Sequence, residues 1–145
     1  MINHPPVASM ISIDGPQGGI GAIPAGWNQS FFTKSLPCSM SLFQKFPYST
    51  SLSVSDFWKN PNDKRGYLER NRFLPDLNNE KETKNSVYRK NMLSLQHLAL
   101  VTAINDTTVL PVESEQFGFF RWGSSNITET LFETEGFRND WLGLQ

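Results

Sequence analysis

Cysteine is nearly absent from this 145-residue chain, Cys38 being its single example. No internal disulfide and no multi-cysteine metal site can form, and the redox compartment is left open, intermolecular pairing of Cys38 included. Histidine is almost as scarce. His4 sits near the start and His97 in an apolar segment without a local partner, so no metal ligand set is visible and no cofactor is expected. An excess of one charge sign is missing too: thirteen Lys and Arg against fourteen Asp and Glu leave a net charge of −1. That balance supplies no field for attracting nucleic acid or an anionic membrane. No run approaches the roughly 20 apolar residues that a bilayer-spanning helix needs. The opening MINHPPVASM lacks a basic n-region followed by an apolar h-region, so neither a span nor a signal peptide is expected in this chain.

What the chain does contain is enough apolar matter for a core. Hydrophobic residues make up 38% of it, with 11 Phe and 4 Trp, in a length that allows one domain at most or part of one. Val7 to Ile13 (VASMISI) is an apolar run of strand length between Pro5-Pro6 and Asp14-Gly15-Pro16. It is nearly apolar throughout, which predicts a strand covered on both faces, as in a parallel sheet packed by helices; a short buried helix would read similarly. Gly15 to Gly26 holds five of the ten glycines, so this loop must turn repeatedly or approach something closely. From Ser30 to Val54, prolines 37 and 47 limit any helix to short length. Asp56 to Asn62 reads as an aromatic-anchored turn, and Lys64 to Phe73 as an irregular surface helix. Leu98 to Val101, inside LQHLALVTAI, is the second strong strand candidate and ends at Asn105-Asp106-Thr107.

Charge divides unevenly, with Lys59 to Lys90 at +4 and Asn91 to Gln145 at −5. Acids interleave with the bases in the first stretch, which predicts a solvated basic face rather than a nucleic-acid patch.

Several chemistries can be set aside. Gly19-Ile20-Gly21-Ala22-Ile23 is followed by Pro24 where a dinucleotide fingerprint requires its third glycine, and no phosphate-binding G-x-x-x-x-G-K-[ST] occurs. No G-x-S-x-G elbow presents a serine nucleophile. His97 reads as a satisfied structural residue, and Glu113 with Glu115 as solvated carboxylates near a turn rather than a glycosidase pair. Asp106 stands out, because a carboxylate in the turn after a buried strand is where open α/β sheets place ligand and catalytic groups. Asn-Asp-Thr is equally a good turn and helix-cap sequence, so both readings stay open on the residues alone. Asn28, Asn105 and Asn126 each begin an N-glycosylation acceptor triplet.

Several stretches, in order, resemble the later part of palmitoyl-protein thioesterases, α/β hydrolases of the lysosome that remove fatty acyl groups from cysteine. They are Pro5-Pro6 with MISIDGPQGGIGAIP, PNDKRGYLERNRFLPDLNNE, NSVYRKNMLSLQHLALVTAINDTTVLPVESEQFGFF and the DWLGL near the end. The run from FLPDLNNE through SEQFGFF is the most specific.

The resemblance implies an α/β class, with residues 1–145 forming the C-terminal strands of a mostly parallel α/β-hydrolase sheet and an incomplete domain. It implies a helical insertion at about 30–58 that walls the acyl groove, ordinary core packing being the equal alternative. It makes Asp106 the acid of a Ser-Asp-His triad, with the serine expected upstream of VASMISI and the histidine downstream of DWLGLQ. His4 and His97 do not match the histidine's position. The substrate would be an S-acylated protein or fatty acyl thioester, the compartment lysosomal or secretory, and the chain a fragment or truncated relative that is inactive alone. Ala25 and Gly26 stand where many relatives carry a cysteine, which leaves Cys38 without that partner. Two further expectations compete with this one: a non-catalytic lipid-binding or interaction module, and a segment whose mid-sheet strands would expose unpaired edges and not fold alone.

Overall fold

The structure, a computed structural model, describes residues 6–22, 48 and 53–145. Cys38, Asn28 and most of the expected insertion at 30–58 lie outside the described residues.

Both strand expectations are met. Strand β1 (Ser9–Ile13) pairs in parallel with β2 (His97–Val101), in the register Ser9 with His97 through Ile13 with Val101. A parallel pair requires a long crossover, and more than eighty residues separate the two strands in sequence. Exposure alternates, however, instead of vanishing on both faces. Met10, Ser12, Leu98 and Leu100 are half-buried, while Ile11 and Ile13 are 69% and 68% exposed and Val101 is 47% exposed. The uniform apolar pattern thus marks two apolar faces, of which one is uncovered among the described residues.

The loop after β1 approaches its neighbours as closely as its glycines predict. A Cβ on Gly18 would meet the Gly118 carbonyl at 2.0 Å, and a Cβ on Gly118 would meet the Glu129 carbonyl at 2.5 Å. Gly18 N–H donates to Ser114 O at 2.8 Å, Gly21 N–H to Leu110 O at 2.7 Å, and wholly buried Ser114 donates its hydroxyl to Gly19 O at 2.5 Å. These bonds lay the loop along the chain that follows β2.

Helix α1 (Lys64–Arg70) starts at Asp63, whose side chain accepts from Gly66 N–H at 2.9 Å, a cap worth about 1 kcal/mol. Its outer face carries the Arg65–Glu69 pair, but Tyr67 is fully buried, so the helix is an amphipathic element of the core and not a surface one. Two short helices follow, α2 (Leu74–Leu77) and α3 (Ser86–Leu93). The expected solvated basic face also needs correction at its first member. Lys59 is 6% exposed, paired with Glu80 at 2.8 Å, with its ammonium over the rings of Phe119, Tyr67 and Trp122 at 4.6, 5.2 and 5.3 Å. A desolvated cation over aromatic faces gains about 2 kcal/mol, which offsets part of its burial cost.

Three buried asparagines explain the LPDLNNE stretch. Asn71 donates to Asp56 O and Trp58 O, both at 3.0 Å, and accepts from Phe73 and Leu74 N–H at 2.9 and 3.2 Å, joining α1 to α2. Asn78 donates to Gln17 O at 2.7 Å, holding α2 to the glycine loop. Asn79 donates to Asn85 O and Trp141 O at 3.0 and 2.9 Å. The last contact docks the terminal DWLGL segment, where Gly143 packs on Leu93 and Asp140 pairs with Arg89.

After β2 come a 3-10 helix (Val112–Gln116), a two-residue antiparallel hairpin of β3 (Phe119–Phe120) and β4 (Thr128–Glu129), a 3-10 turn (Leu131–Glu133) and α4 (Glu135–Arg138). No helix among the described residues is long and apolar enough to cross a membrane.

Candidate active site

Parallel β1 and β2 bring their C-terminal ends to the same edge. Asp14 N–H donates to Val101 O at 2.9 Å there, and the chain leaves β2 through Thr102 and Ala103 into the turn that carries Asp106. The turn closes when Asp106 N–H donates to Ala103 O at 3.2 Å. Asp106 then accepts from Thr108 N–H at 2.6 Å through Oδ1 and from Val109 N–H at 3.3 Å through Oδ2. Donation from the Thr108 N–H, foremost, holds its carboxyl below the usual aspartate range. The group is a fixed, half-buried anion just past the strand end.

Beside it stands a residue that sequence reasoning set aside. Glu115, expected to be solvated, is 1% exposed in the 3-10 helix after Pro111. Its Oε2 accepts from Ala103 N–H at 3.2 Å, the residue whose carbonyl takes the Asp106 N–H, so its carboxyl lies beside that of Asp106. Burial, foremost, and then the contact with Asp106 push its carboxyl above the usual glutamate range. Glu113 differs, accepting from the Thr128 hydroxyl at 2.8 Å and so tying the 3-10 helix to β4. The only hint in the sequence was position: Glu115 lies within SEQFGFF, the most specific stretch of the resemblance. Its burial depends on contact with residues twelve positions earlier, which no local pattern reveals.

His97 starts β2, and roughly 13 Å of strand separates it from the end near Asp106. It is exposed, and its Nδ1 is satisfied by a hydrogen bond with Ser9 Oγ at 3.3 Å across the β1–β2 pair. Asn105 and Asn126 are both exposed. Among the described residues no group of three or more His, Cys, Asp or Glu could hold a metal ion. A cleft of about 640 Å³ opens between Lys59, Phe119, Trp122, Phe137, Trp141 and Leu142, and Asp106 is not among its lining residues.

With a strand-end carboxylate and these stretches in place, comparison with known proteins is decisive. The family model for palmitoyl protein thioesterase matches residues 1–145. The chain belongs to that family. Palmitoyl-protein thioesterase 3 of Dictyostelium discoideum is 35% identical over 147 residues, covering 99% of this chain and 48% of that protein. Palmitoyl-protein thioesterase 1 of Caenorhabditis elegans is 29% identical, with 98% and 48% covered. Lysosomal thioesterase PPT2 of Homo sapiens is 29% identical, with 89% and 41% covered. The chain therefore spans about half the length of the curated relatives it matches. Family membership implies an α/β-hydrolase fold, and the small sheets and few helices of the described residues are consistent with part of one.

Proposed function

We propose that this chain contributes the acid residue, Asp106, to a Ser-Asp-His thioesterase that hydrolyses fatty acyl groups from protein cysteine. One observation carries the reading: Asp106 is an anchored carboxylate at the shared C-terminal edge of two parallel strands, the edge at which α/β sheets assemble their chemistry. The names of the relatives supply the reaction class. The serine oxygen would attack the thioester carbonyl while the imidazole takes its proton, and the cysteine thiol would leave with that proton. Water would then hydrolyse the acyl-serine by the same base. Asp106 holds the imidazole in its productive tautomer and stabilises the imidazolium.

The 145 residues carry no serine elbow, and His97 stands at the wrong end of β2. On this reading the nucleophile and base come from the rest of the catalytic domain, and these residues alone are inactive. The exposed apolar face of β1 and β2 supports this, because parallel sheets are ordinarily covered on both sides. The lysosomal naming of relatives such as the human protein supports a lysosomal location.

The chain fused to the part of the Dictyostelium discoideum relative that it does not cover should hydrolyse a palmitoyl thioester. Asp106→Asn in that fusion should lower kcat on the order of 10³–10⁴-fold. An equally active variant, or turnover by the 145 residues alone that Asp106→Ala abolishes, would refute the proposal.

A further inference from the structure

Asp106, in the turn after β2, and Glu115, in the 3-10 helix that follows, set two carboxyl groups beside each other around Ala103. Glu115 is essentially inaccessible, its Oε2 takes the Ala103 N–H, and its Oε1 is buried with no donor facing it among the described residues. The other acid acting on it is Asp14, at the end of β1, which adds a second negative charge. On β2 the one titratable side chain is His97, at the far end, and β3 consists of two phenylalanines, so no charged group from the packed strands faces it. Two ionised carboxylates in contact repel strongly, and a single proton between them removes the repulsion. Asp106, with two backbone N–H donors, is the better anion. Glu115, with one donor and almost no solvent, is the group that keeps the proton.

We propose that Glu115 is a positioning residue for Asp106, a neutral carboxyl group that donates a hydrogen bond to the Asp106 carboxylate and sets its orientation. A carboxylate offers about four lone-pair sites. Thr108 N–H, Val109 N–H and the Glu115 O–H, with the Thr108 side chain alongside, together fix the direction in which that carboxylate faces. The inference rests on reading Asp106 as the triad acid, but the pair itself can be observed without catalysis.

Carboxyl-carbon NMR of the fusion described above reads the pair directly. Glu115 should keep its protonated chemical shift to higher pH than a free glutamate, about 4.3, and Asp106→Asn should move its midpoint downward. A Glu115 midpoint equal to the free value, or one that ignores Asp106→Asn, overturns the proposal. In the fusion described above, Glu115→Gln retains a donor of the same shape and should stay within about threefold of the parent, with an alkaline limb of its pH profile that no longer follows Glu115. Glu115→Leu removes the donor and should lower kcat about 10–100-fold with KM little changed. Equal activity of Glu115→Leu and the parent overturns the positioning role, as does loss of Glu115→Gln activity equal to that of Glu115→Leu. If Asp106→Asn keeps full activity while the NMR coupling persists, the pair stands and the reading of Asp106 as triad acid fails.

Discussion

At the scale of single residues, the two neighbouring acids respond to pH in opposite directions. The folded state holds Asp106 below its unfolded pKa of about 3.9, so its contribution is present above that value and is lost as pH falls through the lowered one. Glu133 in its capping box and Asp140 beside Arg89 are lowered too and act in the same sense. Glu115 is raised, so the folded protein keeps a proton that the unfolded chain has given up above about pH 4.3. Stability should therefore decline as pH rises from there through the raised Glu115 value. Urea midpoints measured across that window should fall for the parent and stay flatter for Glu115→Gln. Parallel curves for the two proteins would contradict the assignment. Lys59 gives a second test at this scale: Lys59→Ala leaves Glu80 without its cation in a largely buried setting, and should cost about 3–5 kcal/mol.

At the scale of elements, asparagine does much of the joining. Asn71 is 3% exposed and satisfies two carbonyls before α1 and two N–H groups at the start of α2. Replacing it by alanine strips partners from all four groups, so Asn71→Ala should destabilise by about 3 kcal/mol in urea unfolding. A loss below about 1 kcal/mol would mean that water substitutes for the side chain. The two glycines in contact, Gly18 and Gly118, leave no room for a methyl group, so Gly118→Ala should displace the β3–β4 hairpin from the loop after β1. Resonance changes confined to residue 118 would be the contrary result. The elements with a local signature were legible in advance: apolar runs between turn formers became β1 and β2, and the glycine loop made its close approaches. The clamps were visible as letters without a role, since each asparagine has a partner between 13 and 62 residues away.

At the scale of the whole molecule, an open apolar sheet face governs behaviour. Ile11, Ile13 and Val101 lie on one side of the β1–β2 pair, and Ile104, in the turn before Asp106, is 95% exposed. Contiguous exposed apolar surface of this kind marks contact with further protein or self-association. Sedimentation of the isolated chain should reveal oligomers or aggregates, and Ile11→Ser with Ile13→Ser should shift it towards monomer. On the proposed reading the rest of the catalytic domain covers this face in the fusion, and the same double change there should lower stability. A monomeric parent chain indifferent to both changes would remove the support that this face lends to an incomplete domain.

Local patterning alone was enough to read two apolar strands, a close-packed glycine loop and an aspartate in the turn after the second strand, while the family came from the likeness of several longer stretches to known proteins. Strands and turns are written in short-range alternation and in residues with special backbone freedom, which is why those features could be read in order along the chain. The tertiary structure alone decided that Glu115 is buried beside Asp106, that Lys59 is enclosed by aromatic rings, that Tyr67 belongs to the core and that His97 bonds Ser9 of the neighbouring strand. Each of these depends on which distant segments meet, and burial is a property of that meeting: a carboxyl or an ammonium group has no exposure of its own until the fold places a neighbour against it.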